Sequence, residues 1–121
     1  MAGVATVSIP NNPLYHAPMQ LNGYPFSGGT DAITLLGGGV ALLTHNDAGA
    51  YTLAVPTVDY VELTCIAGTA AAHVITQATV GFNAKGSSGT ATFGGAIGDA
   101  VTLISYNGNW YCKAEHNVTF A

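Results

Sequence analysis

From residue 30 onward the chain alternates apolar and polar residues in short runs, and breaks rich in glycine, asparagine and threonine separate the runs. Period-two alternation is what a strand with one buried face requires. Tyr51, Leu53 and Val55 share one face of a run at 50–55. Val61, Leu63 and Cys65 oppose Tyr60, Glu62 and Thr64 in a run at 60–66. His73, Ile75 and Gln77 oppose Val74 and Thr76 in a run at 72–77. Further strands are expected at 32–36, 40–45, 90–94, 101–106, 109–113 and 118–120, with a short apolar piece at 80–82. Gly37-Gly38-Gly39, Asn46-Asp47-Ala48-Gly49, Pro56 and the polar loop 83–89 supply breaks. No window carries a capped apolar stripe of helical period. Many short strands with regular turns predict an all-β fold. The form expected is a compact β-sandwich or barrel, jelly-roll-like, of short antiparallel strands.

The segment 90–111 is the most informative. Tyr106-Asn107-Gly108-Asn109 reads as a hairpin, because Asn-Gly suits a type I′ turn whose central residues need positive φ. Asp99, directly after Gly98, is expected to hold a turn by accepting backbone N–H groups. Trp110, the only tryptophan, and Tyr111 are expected to anchor the hairpin in the core.

Residues 1–28 differ from the β-domain expected over 29–121. Four of the five prolines, Pro10, Pro13, Pro18 and Pro25, fall here, which excludes a helix interior or a central strand around them. The segment reads as an extended N-terminal arm carrying Leu14, Tyr15, Met19, Leu21, Tyr24 and Phe26. Prolines reduce the freedom lost on ordering and aromatics supply contact area. Two uses fit equally: lying along another protein, or packing on its own domain. Leu14, Tyr15, Met19, Tyr24 and Phe26 are the candidates for partner contact.

Composition narrows the function. A chain of 121 residues suits one domain, and 49% hydrophobic residues are enough for a core without metal or disulfides. Only 7% of residues are charged, against about 25% in an average soluble domain. The two basic residues, Lys85 and Lys113, cannot form the cationic cluster that nucleic acid or an anionic membrane surface needs. No apolar run reaches the ~18 residues that span a bilayer. The first ten residues lack a basic cluster followed by an apolar core, so no secretory signal is expected there. Mixed charge normally keeps surfaces from associating, so a surface this uncharged is expected to be covered in part by partners. Cys65 and Cys112 lie in strand-like runs and read first as free thiols behaving as small hydrophobes, with a Cys65–Cys112 disulfide the lesser alternative if their strands are neighbours.

Candidate chemistry is sparse. Neither Leu36-Gly37-Gly38-Gly39 nor Lys85-Gly86-Ser87-Ser88-Gly89-Thr90 has the order of a phosphate loop. His16, His45, His73 and His116 have no zinc-motif spacing, and no metal or cofactor is expected. His45 and Asp47 sit close enough for a turn hydrogen bond, and His73 reads as a packed strand residue. There is no Gly-x-Ser-x-Gly elbow, and the acids Asp31, Asp47, Asp59, Glu62, Asp99 and Glu115 are dispersed. No catalytic residue is assigned.

Blocks spread over residues 32–111 resemble small virion proteins of tailed phages, particularly head decoration, cement or head-fibre proteins. They are Gly49-Ala50-Tyr51-Thr52-Leu53, Val55-Pro56-Thr57, Val61-Glu62-Leu63-Thr64-Cys65-Ile66 and Thr69-Ala70-Ala71-Ala72-His73-Val74-Ile75-Thr76. The closing block runs from Ala91-Thr92-Phe93 through Gly98-Asp99 and Leu103 to Asn107-Gly108-Asn109-Trp110-Tyr111. The resemblance implies a compact β-fold, a homo-oligomer (a trimer in preference to a dimer) and docking on a lattice of major capsid protein. It implies a non-enzymatic cement protein on the capsid surface of the virion, made in the host cytoplasm. Similar modules occur in phage fibres. The alternative is therefore a receptor- or glycan-binding fibre module, with Tyr60, Tyr106 and Trp110 as an aromatic platform. A small hydrolase ranks last.

Overall fold

The computed structural model describes residues 21–24 and 31–121. Ten strands are described: β1 (Leu21–Tyr24), β2 (Asp31–Ile33), β3 (Gly39–Leu43), β4 (Ala50–Leu53), β5 (Glu62–Ala67), β6 (Val74–Gln77), β7 (Gly89–Phe93), β8 (Ala100–Tyr106), β9 (Asn109–His116) and β10 (Val118–Phe120). They form two five-stranded sheets, ordered β9-β8-β5-β3-β1 and β10-β7-β6-β4-β2. No described residue is helical. The expected all-β sandwich of short strands is therefore the fold.

The pairing is mixed. β1–β3, β3–β5, β2–β4 and β4–β6 pair parallel, whereas β5–β8, β8–β9, β6–β7 and β7–β10 pair antiparallel. The antiparallel, jelly-roll-like expectation thus describes the C-terminal half of the strands. The first six strands alternate between the sheets, so β1–β2, β3–β4 and β5–β6 stack as three flattened coils. The second and third coils share one register: Gly39 pairs with Leu63 in the first sheet, and Ala50 pairs with Val74 in the second. Both pairings are offset by 24 residues (63 − 39 and 74 − 50). Strands that switch sheets at every connection cannot form local hairpins, and parallel pairing follows.

The period-two pattern does place the core. Along β3, β5 and β8, alternate residues Ala41, Leu43, Leu63, Cys65, Val101 and Leu103 point between the sheets and are buried. Tyr51, Leu53, Ile75, Ala91 and Phe93 meet them from the second sheet. The Asn107–Gly108 turn has φ of 51° and 77°, as a type I′ hairpin needs, and Tyr106 pairs with Asn109 across it. Cys65 and Cys112 are free thiols, and burial pushes the Cys65 thiol up to about 12.

β1 corrects the expected domain boundary at residue 28. Leu21–Tyr24 is the outermost described strand of the first sheet on that side, paired with β3. Tyr24 belongs to the core rather than to a partner-contacting arm. It is buried, its hydroxyl bonds to Thr34 Oγ1 and accepts from the Thr34 N–H, and its carbonyl accepts from the Tyr51 hydroxyl. An aromatic residue in a proline-rich stretch reads the same whether it faces a partner or its own core, so the pattern alone did not separate the two. Leu14, Tyr15, Met19 and Phe26 lie outside the described residues.

Candidate interaction face

The two sheets present unlike outer faces. On the second sheet, register aligns Ala32, Thr52, Thr76 and Thr90 in one row across four strands. Ala50, Val74, Thr92 and Thr119 form the next row. Hydroxyls dominate that surface. On the first sheet the rows are Leu42, Ile66, Ala100 and His116, then Val40, Thr64, Thr102 and Ala114, then Glu62, Ile104 and Tyr111. Their burial alternates with that of the core positions, so these side chains stand on the outer side, half-buried among one another apart from the exposed Ala114 and His116. The Thr64 and Thr102 hydroxyls bond to each other at 3.0 Å, so the middle of the face satisfies its own polar groups. The charged side chains Lys113 and Glu62 pair with each other across the face.

One end of this face carries two exposed aromatic rings. Tyr106 closes β8 on the outer side, and Tyr60 lies beside it with ring centroids 5.7 Å apart and planes inclined at 31°. Tyr60 is 73% exposed and neighbouring Val58 60%. Tyr60 holds φ of 62°, a left-handed conformation that a bulky side chain rarely adopts. Ser105 maintains it. The buried Ser105 hydroxyl donates to the Val58 carbonyl and accepts from the Val61 N–H, while the Ser105 carbonyl accepts from the Tyr60 N–H. Asp59 accepts from the Asn107 N–H and ties the same loop to the hairpin. Strain over-determined by several bonds around exposed groups is a feature of binding surfaces.

Trp110 does not join these rings. It is fully buried, and its indole N–H donates to the Ala54 carbonyl at 2.9 Å. The sugar platform expected from Tyr60, Tyr106 and Trp110 is thereby reduced to the two tyrosines. Tyr111, expected to anchor the hairpin in the core beside Trp110, is instead half-buried on the outer side, because strand alternation puts neighbouring residues on opposite faces. Asp99 accepts from the Ala96 N–H and from the Asn117 side chain; chiefly the backbone bond holds its carboxyl below the ordinary carboxylate value. That is a turn function.

The remaining polar groups are committed to structure. His73 is buried; its Nδ1 accepts from the Gly49 N–H and its Nε2 bonds to Thr69. Thr69 donates its hydroxyl proton to the His45 carbonyl, so His73 Nε2 carries the proton that Thr69 accepts. Burial, and then the nearby His45, lower the His73 pKa. The Gln77 side-chain oxygen accepts from the N–H groups of Thr79, Val80 and Gly81, and its amide donates to the Leu53 carbonyl. His45 bonds to Asp47 within its turn. Among the described residues, no group of three or more His, Cys, Asp or Glu side chains is placed to hold a metal ion.

Sequence reading put Tyr60 and Glu62 opposite Val61 and Leu63, but the apolar outer face came to light only in the register that aligns Leu42 with Ile66 and Ile104 with Tyr111. Ser105 gave no signal, since a serine in a strand resembles any outward polar residue. The chain matches no family model, no curated protein and no solved structure.

Proposed function

We propose that this chain is a non-enzymatic virion surface protein, a decoration or cement module that binds the outer shell of a phage head. The observation that carries this reading is the contrast between a hydroxyl-covered sheet and a sheet whose outer side is rich in aliphatic side chains, has its Glu62 paired with Lys113, and ends in the exposed rings of Tyr60 and Tyr106. Exposed apolar groups such as Val58, Tyr60 and Tyr106, set beside a half-buried aliphatic face, mark contact with other macromolecules. The resemblance of residues 32–111 to phage head proteins supplies the partner: a lattice of major capsid protein. Binding the assembled lattice and not its separated subunits would stabilise the shell by mass action. Many copies on one lattice allow each contact to be weak.

The test is co-sedimentation of the purified protein with phage shells that lack it, followed by electron microscopy of the decorated particles. Regular density over the shell, with raised resistance of the shell to heat, is the expected result. Protein confined to the tail, or absent from particles, overturns it.

The Tyr60–Tyr106 pair favours a second reading, a glycan-binding fibre module, because paired exposed rings can stack on sugar rings. Glycan-array signal lost in Tyr60→Ala and Tyr106→Ala, with the protein located on fibres, would select it.

A further inference from the structure

We infer that the proline-rich segment 9–13 of this chain docks, within the same molecule, on the exposed Tyr60–Tyr106 pair and covers it until another surface displaces it. The two rings and neighbouring Val58 are exposed large apolar groups at one end of the first sheet. Asp59 lies among them, and its carboxylate already accepts from the Asn107 N–H. The bonds of Ser105 to Val58, Tyr60 and Val61 hold the rings in place before anything binds.

Three observations point to the chain's own segment as the occupant. The first is where the chain arrives. β1 runs parallel to β3, β3 runs parallel to β5, and β8 runs against them. The residues before Leu21 therefore enter the first sheet at the end where Tyr60 precedes β5 and Tyr106 closes β8. Leu21 stands in the row of Val40, Thr64 and Thr102, so the rings lie ~13 Å further along the strands and ~10–14 Å across the sheet. The second is reach. An extended chain covers up to about 26 Å between Pro13 and Leu21 and about 36 Å between Pro10 and Leu21, more than the ~20 Å required. The third is chemistry. Pro10-Asn11-Asn12-Pro13 has the P-x-x-P spacing that puts both prolines on one edge of a polyproline II turn, ~9 Å apart, the form that docks on surfaces lined by aromatic rings. Residues 1–20 contain no Asp, Glu, Lys or Arg, so no charged side chain of the segment is stripped of water when it covers the rings. A tether this short holds the segment at high local concentration, so a contact too small to hold a separate partner suffices. That the covered rings belong to the shell-binding face rests on the decoration reading, whereas the docking itself does not. On that reading the segment is a built-in competitor that the shell must displace.

The test uses the full chain with a nitroxide attached at Asn12→Cys in a Cys112→Ser background, and reads amide signals by NMR. The label should broaden the signals of Val58, Tyr60 and Tyr106 severalfold more than those of Thr76 and Thr119 on the second sheet. Dilution should leave the broadening unchanged. Pro10→Ala combined with Pro13→Ala should remove most of it, and neither residue belongs to a described strand. Unbroadened rings overturn the proposal, as does broadening that survives both proline substitutions. So does broadening that appears only when spin-labelled and isotope-labelled chains are mixed, which makes another copy's segment the occupant. Shells lacking the protein then separate docking from decoration. The double proline variant should bind them several times more tightly than the parent, and equal affinity overturns the masking. A chain that docks its segment but ignores shells overturns the decoration reading alone.

Discussion

At the scale of single residues, the chemistry of this protein is spent on holding turns and loops. His73 is the clearest case, because it must be neutral to accept from Gly49 while donating to Thr69. Protonating it would set two N–H groups against each other. Its pKa is lowered from the ordinary 6.5 in the folded state, so the unfolded chain takes the proton more readily. The stabilisation from neutral His73 is therefore complete above the unfolded value and is lost as pH falls through about 6.5 towards the folded value. Urea midpoints measured between pH 7.5 and 5 should fall with pH, and His73→Gln should flatten that slope. Asp99 has its pKa lowered as well, but its contribution is present above the ordinary 3.8 and is lost only below it, so its loss begins at lower pH than that of His73.

Tyr60 makes the opposite case, a residue whose placement costs stability. A left-handed φ costs a non-glycine residue about 1–2 kcal/mol. Glycine relieves that strain but loses about 0.5–1 kcal/mol more through chain entropy. Tyr60→Gly should leave the unfolding free energy within about 1 kcal/mol of the parent, as read from urea titration. Shell binding should weaken in the same variant. A large loss of stability would show that the ring serves the fold.

At the scale of elements, the β8–β9 hairpin was legible because its turn chemistry is local. Gly108 has φ of 77° and open space where a Cβ would stand. Gly108→Ala should therefore cost only the backbone term, about 1–2 kcal/mol by urea unfolding, with no displaced neighbour. The turn held by Asp99 was legible for the same reason, since glycine followed by an acid is a short-range signal. β1 was not. Prolines on both sides made Leu21–Tyr24 read as arm, while pairing with β3 and the bonds of Tyr24 to Thr34 and Tyr51 make it a strand. The small coil-to-coil similarity hid the stacking of β3–β4 on β5–β6 as well. Thr52 and Thr76 match across the 24-residue offset, but Leu43 faces Ala67 and Leu53 aligns with Gln77.

At the scale of the whole molecule, three parallel coils are closed by four strands paired antiparallel. Among the described strands, β1 and β2 end the two sheets on one side and β9 and β10 on the other, and removing the first pair exposes core. A chain starting at residue 29 loses β1 and with it the Tyr24 ring and the partner of the Tyr51 hydroxyl. Loss of a buried aromatic side chain costs about 3–5 kcal/mol, and the shorter chain should be destabilised by at least that much. Equal midpoints would return Tyr24 to the arm. The parallel pairings join residues far apart in sequence, so refolding should be slow for a chain of this size, in the millisecond-to-second range by stopped-flow fluorescence of Trp110.

The sequence by itself determined that this protein is built of short strands, which residues face its core, where its tightest hairpin turns and that its surface is almost without charge. Each of these depends on neighbours within a few positions, through side-chain alternation, turn preference or composition. Only the tertiary structure decided that the first six strands pair in parallel coils, that Tyr24 is core and Tyr111 is not, and that Leu42, Ile66, Ile104 and Tyr111 join into one face ending at Tyr60 and Tyr106. Register between distant strands decides those, and it is set by packing across the whole sandwich rather than by any local run of residues.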